Sequence, residues 1–171
     1  MNTFFKDANY KVPVSSNYLK LTEGNHKFRI LGSAIVGWEY FDNDNKPVRS
    51  REPFDETPNI KPYSSVNHFW FFPVYNWEAE KIQLLEIKQK TIQNQMKDYL
   101  DNSDWGTPEE VGQPFGYDFT IIRKGTTKND TEYKVITSPH KPIDEEIVKK
   151  YEEMEINLDV LFEGGNPFKG E

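Results

Sequence analysis

The strongest pattern in the chain runs from Val66 to Lys90, VNHFWFFPVYNWEAEKIQLLEIKQK. It predicts a long β-hairpin. Six of the ten residues from His68 to Trp77 are aromatic. Alternate residues of a strand point to opposite faces. His68, Trp70, Phe72 and Val74 therefore share one face, and Phe69, Phe71 and Tyr75 share the other. One face can fill a core. The other must meet a second layer or a ligand with flat, apolar surfaces. Placing Val74 opposite Ile82 and Phe72 opposite Leu84 makes the turn end of the hairpin structural. Its mouth, near His68, Trp70 and Lys88, is then free to extend a site.

The remaining elements follow from shorter patterns. Residues 1–16 read as a loose arm, Tyr18–Thr22 as a short strand and Glu23-Gly24-Asn25 as a turn. His26–Leu31 alternates, with Phe28 and Ile30 facing a core and Lys27 and Arg29 facing solvent or ligand. Ala34–Asp42 is a strand with Gly37 as a bulge or bending point. The run Asn43-Asp44-Asn45-Lys46 is turn chemistry, and Pro47–Glu52 is the returning strand. With Asp42 paired to Pro47, Tyr40 lies opposite Arg49 and Trp38 opposite Arg51. Two rings and two guanidinium groups then share one face.

Residues 53–65 hold three prolines and read as a surface loop. Thr91 can cap a helix over Ile92–Leu100, whose Ile92, Met96, Tyr99 and Leu100 recur at helical spacing. Residues 102–114 read as a loop. Phe115–Arg123 and Thr131–Ile136 form a last strand pair, with Tyr117, Phe119 and Ile121 inward. Pro139 and Pro142 mark a linker, Asp144 caps a short helix to about Met154, and the final EGGNPFKGE reads as disordered.

Short antiparallel strands with one inserted helix predict a mainly β chain: a small OB-fold-like antiparallel barrel over residues 17–142. An arm (1–16) precedes it and an acidic C-terminal helix and tail (143–171) follows.

Composition sharpens this picture at three points. Aromatic residues make up 15% of a chain that is only 36% hydrophobic, so much of the apolar surface is flat rings. No cysteine is present, which excludes disulfides, thiolate nucleophiles and cysteine-ligated zinc. No apolar run reaches membrane-spanning length and the N-terminus has no signal-peptide core, so a soluble intracellular protein is expected. The net charge of −7 is uneven. Residues 143–171 carry −6 and the first 142 carry −1. A nearly neutral body can still hold a basic groove.

Rings beside cations are what non-specific binding of a single strand requires. Cations track the phosphates, and rings stack on unpaired bases. The candidate DNA-contacting residues are Trp38, Tyr40, Arg49 and Arg51, extended by His68, Trp70, Lys88, Lys90, Arg123 and Lys124. The competing reading makes these rings core and these charges solvated surface. Two further functions stay open. Glu86-Ile87-Lys88 with Asp55 could form a Mg²⁺-dependent nuclease centre, and the aromatic face could be covered by a partner subunit. No Gly-rich phosphate loop, no Ser/His/Asp arrangement and no His-x-x-x-His is present.

The segments YKVPVSSNYLKLTEGNHKFRIL, GWEYF, KPVRSRE, HFWFFPVYNWEAEKIQLLEIKQKTIQ and GYDFTIIRKG…TEYKV together resemble the bacteriophage-type single-stranded DNA-binding proteins. The resemblance covers roughly Tyr10–Pro142. It implies an OB-fold that coats single-stranded DNA in phage replication and recombination, inside an infected bacterial cytoplasm. It also implies an acidic tail that contacts replication proteins and competes with DNA for the groove. Some such proteins hold a zinc through Cys and His. Here the cysteines are missing and His26, His68 and His140 are far apart in sequence, so no metal or other cofactor is expected.

Overall fold

The computed structural model describes residues 4, 6, 16–54 and 65–168. The expected arm, except residues 4, 6 and 16, and Asp55 lie outside the described residues. The elements are β1 (Gly24–Ile30), β2 (Ile35–Phe41), β3 (Pro47–Ser50), β4 (Asn67–Asn76), β5 (Lys81–Ile87), α1 (Lys90–Leu100), β6 (Asp118–Lys124), β7 (Glu132–Thr137) and α2 (Glu145–Met154). A 3₁₀ helix, Leu158–Glu163, follows. No described helix is long and apolar enough to cross a membrane.

All seven strands belong to one antiparallel sheet organised around β4. One edge of β4 pairs with β5. The other is shared end to end by β2, through Asn67–Phe71, and β1, through Val74–Asn76. The chain steps from β1 to β2 at Leu31–Ala34, where Leu31 N donates to Pro73 O at 3.0 Å. Pro73, which has no N–H to give, sits in a central strand where the neighbouring strand changes. From β1 the sheet continues through β6 to β7.

Alternation builds the main core. Phe28, Ile30, Phe72, Val74, Leu85, Ile87, Phe119 and Ile121 bury one face against Ile92 and Met96 of α1. Each such side chain contributes about 1.5–3 kcal/mol of apolar burial. The sheet does not close into a barrel. Between β5 and β7 lies α1, whose Gln95 stands in for a strand. Its Nε2 donates to Tyr133 O at 2.9 Å and its Oε1 accepts from Val135 N at 2.8 Å. Among the described residues the outer edge of β5 carries a single parallel bridge, Tyr18↔Leu84, in place of the expected strand Tyr18–Thr22.

The second sheet face also packs on protein. Phe69, Phe71 and Leu84 are buried under Leu161 and Phe168, with Ile35, Met154, Ile156, Leu158 and Phe162 around them. The segment after α2 is thus a folded cover through Phe168, which corrects the expectation of a disordered end. Gly37 belongs to this packing. Its pairing with Phe69 is continuous, so it is no bulge. A Cβ there would lie 3.0 Å from Phe162 Cε1 and 3.1 Å from Phe69 Cε1.

Both hairpin registers differ from expectation by one residue. Val74 pairs with Gln83 and Phe72 with Leu85, because the turn closes at Asn76↔Lys81 with Glu80 left-handed at φ 51°. Phe41, not Asp42, pairs with Pro47. Asp42 is spent on the turn, where its Oδ1 accepts from Asp44 N and Lys46 N at 2.9 Å each. Three smaller corrections concern Arg29, the α1 cap and the start of β1. Arg29 is buried, donating from Nε to Asp118 Oδ1 at 2.8 Å. Trp77 Nε1 donates to the same oxygen at 2.8 Å. The N-cap of α1 is Gln89 rather than Thr91, and Gly24 and Asn25 already belong to β1. Asp144 does cap α2, accepting from Glu146 N at 2.9 Å.

Candidate nucleic-acid interface

A one-residue change of register turns every side chain of a strand to the other face. In the β2–β3 hairpin this divides the candidate residues. Trp38 lies opposite Ser50 and Tyr40 opposite Val48, while Arg49 lies opposite Glu39. The expected grouping of Trp38 and Tyr40 with Arg49 and Arg51 on one face is therefore corrected. The rings occupy one face and the guanidinium groups the other.

The ring face continues from β2 onto β4, where Trp38 pairs with His68 and Val36 with Trp70. The Trp38 and His68 ring centroids are 4.9 Å apart. His68 Nδ1 lies 2.8 Å from Gly37 O. A carbonyl oxygen only accepts, so Nδ1 carries the proton and the ring is held in one orientation. Tyr40 meets Phe54 edge-on at 5.0 Å. Trp38 and Tyr40 are partly exposed and belong to neither apolar cluster, while Trp70 sits at the rim of the main one. Val36, opposite Trp70, is 50% exposed. Successive same-face positions on a strand are about 6.6 Å apart. The outcome is a row, Tyr40, Trp38 with His68, then Trp70, of rings with accessible surface.

The opposite face is a buried charge cluster. Glu39 is fully buried and its Oε2 accepts from Arg49 Nε at 2.9 Å. Its Oε1 is 3.4 Å from Lys88 Nζ, which is also 3.8 Å from Glu86 Oε1. Burial, then the neighbouring Glu39 charge and a hydrogen bond with it, push the Glu86 carboxyl up to about 7, against the pull of Lys88 and Arg49. Among the described residues neither Glu39 Oε1, which has only its ion pair with Lys88, nor Glu86 Oε2 accepts a hydrogen bond. A proton on Glu86 is the donor this pair lacks. Three of the cations expected to meet phosphate, Arg49, Arg51 and Lys88, are thus engaged within the protein. Arg49 also donates from Nη1 to Leu161 O at 3.2 Å. Arg51 donates from Nη2 to Asp159 Oδ1 at 3.0 Å and lies 4.1 Å over the Phe162 ring.

Arg123 donates from Nη1 to Leu21 O at 2.7 Å. It shares a groove of about 420 Å³ with Arg49, Glu86, Tyr18 and Tyr133. Lys90, in the first turn of α1, and Lys124, at the end of β6, are exposed. The structure therefore gathers Trp38, Tyr40, His68 and Trp70 on one side and Arg49, Arg51 and Lys88 on the other.

Sequence reasoning missed Glu39 as the partner that internalises Arg49. The signal available was its alternation with Trp38 and Tyr40, which puts it on their opposite face. For the nuclease alternative, Glu86 and Lys88 do lie side by side. Their third partner is Glu39, and Arg49 with Lys88 already supplies the positive charge that a metal ion would bring to those carboxylates. Comparison with protein-family models, with curated proteins and with solved structures finds no match.

Proposed function

We propose that this protein binds single-stranded DNA with little sequence preference, protecting it during phage replication and recombination, and that bases stack on the row Tyr40, Trp38, His68 and Trp70. The observation that carries the reading is that Trp38 and Tyr40, on a strand in mid-sheet, stay outside both packed clusters and keep accessible ring surface. Strand aromatics ordinarily serve a core. Every base has a face to stack, so such a row is tolerant of sequence.

The strand order supports an OB-type reading of the fold. β1, β4, β5, β6 and β7 follow one another with α1 between the third and fourth, as in that partly open barrel. The β2–β3 hairpin is then an insertion after the first strand, and it carries half of the ring row. Phosphate contacts fall to cations that a bound strand can reach, among them Lys90 and the exposed Arg51 once it leaves Asp159. The acidic C-terminal region is the surface for replication partners. Its 3₁₀ helix lies across Arg49 and Arg51, so a strand that used those arginines would compete with it.

The test is titration of the full chain with an unstructured oligonucleotide, followed by tryptophan fluorescence. Quenching by single strands, weaker binding to duplex, and affinity that falls with salt are expected. No quenching and no mobility shift at low salt would sink the proposal.

A further inference from the structure

The ring row ends at a pocket. Trp70, its last member, also forms a wall of a cavity of about 480 Å³ between the sheet, α1 and the loop 107–113. Phe72, Met96 and Phe115 make the apolar interior. The rim differs in chemistry. Glu109 and Glu110 line it, and Glu110 Oε2 accepts from Gln113 Nε2 at 3.2 Å. Between rim and solvent stands Val111, 94% exposed, an apolar side chain with almost nothing to pack on.

We propose that this pocket takes one nucleobase of the bound strand and selects for a base with an exocyclic amino group, cytosine or adenine over thymine. The inference rests on the single-strand reading and adds a base-selective position to it. Three observations carry it. The pocket is continuous with the stacking row through Trp70, so a base leaving the row enters it without a break in ring contact. Its interior is apolar and partly aromatic, and the exposed Val111 belongs to its lining. Its rim is acidic, which turns phosphate away and leaves the sugar–phosphate chain outside. A carboxylate accepts from an amino donor, as Glu does from cytosine N4. Thymine offers a carbonyl oxygen at that position, which faces the carboxylate acceptor to acceptor.

The experiment measures fluorescence anisotropy of labelled dC, dA and dT homopolymers of one length with the full chain. Binding to dC about fivefold or more tighter than to dT is expected, in line with the discrimination a single well-placed amino contact provides. Glu109→Gln with Glu110→Gln removes repulsion from every strand, so the readout is the dC:dT ratio, which should fall toward one. Ser33→Phe fills the mouth from an exposed position and should lower the ratio while the ring row still binds. Equal affinities for dC and dT in the unaltered chain would overturn the pocket proposal and leave the stacking reading intact. A ratio unmoved by both sets of substitutions would also overturn it. No binding to any homopolymer would overturn the function and this inference together.

Discussion

Arg49 donates from Nε to Oε2 of the fully buried Glu39 at 2.9 Å, across the β2–β3 ladder. The pair sits beneath Leu161, whose carbonyl takes a second bond from the same guanidinium. Arg49→Ala is therefore a stability mutation. It takes away the hydrogen-bonded cation of a buried carboxylate and leaves only the longer Lys88 contact, so the expected loss approaches that of a broken buried pair, about 3–5 kcal/mol. Arg51 contrasts with it. Both members of the Arg51–Asp159 pair are more than half exposed, so Arg51→Ala should cost under about 1 kcal/mol. Urea unfolding of the two variants separates them, and equal midpoints would contradict the internal role of Arg49.

Glu86 gives stability a pH dependence of definite sign. Its carboxyl is raised from 4.5 to about 7, chiefly by burial and then by Glu39. The folded chain thus holds this proton more tightly than the unfolded one. Folding loses stability as pH rises from about 4.5 through 7. The penalty is complete above that window and absent below it. Glu86→Gln keeps the hydrogen-bonding shape without the charge. It should stabilise the chain by about 1–3 kcal/mol at pH 8 and change little at pH 4.5. Denaturant midpoints across that range test it, and a parallel shift at every pH would rule out the titration as the cause.

The hairpins show what the sequence made legible. Alternation in β4 placed Phe72 and Val74 on one face and Phe69 and Phe71 on the other, as observed. Phe28 and Ile30 likewise pointed to the core. Turn closure was not legible, because Asp42-Asn43-Asp44-Asn45-Lys46 offers turn chemistry at every position. Which residue closes it depends on where Asp42 Oδ1 finds its donors. An error of one residue there inverted the faces of Arg49 and Arg51. The C-terminal cover was hidden for another reason. Leu161, Phe162 and Phe168 sit among acids at no strand or helix period, so only the unfilled face of β4 called for them.

That cover predicts the outcome of truncation. Removing residues from Ile156 onward exposes Phe69, Phe71 and Leu84 and takes Leu161 O from Arg49 and Asp159 from Arg51. A free acidic tail could be deleted without loss of stability. This segment should not behave so. Leu161→Ala alone should cost about 2–5 kcal/mol, and the truncated chain should bind a hydrophobic dye that the full chain does not. An unchanged thermal midpoint in both would mean that the segment is not held on the sheet.

The ring row and the charge cluster also separate in solution. Trp38 and Tyr40 lie outside the packed clusters, so replacing either by Ala should leave the unfolding midpoint nearly unchanged. Each loss should weaken single-strand binding by about 1–3 kcal/mol, the usual worth of one stacked base. Stacking carries no counterion release, so the slope of log affinity against log salt should stay the same in both variants. Lys90→Ala tests the other term. Removing one phosphate contact should reduce that slope by about 0.7 and weaken binding to all sequences alike. Measuring affinity at three salt concentrations for Trp38→Ala, Tyr40→Ala and Lys90→Ala distinguishes the two. If the ring variants changed the slope and not the affinity at fixed salt, stacking on this face would be the wrong account of binding.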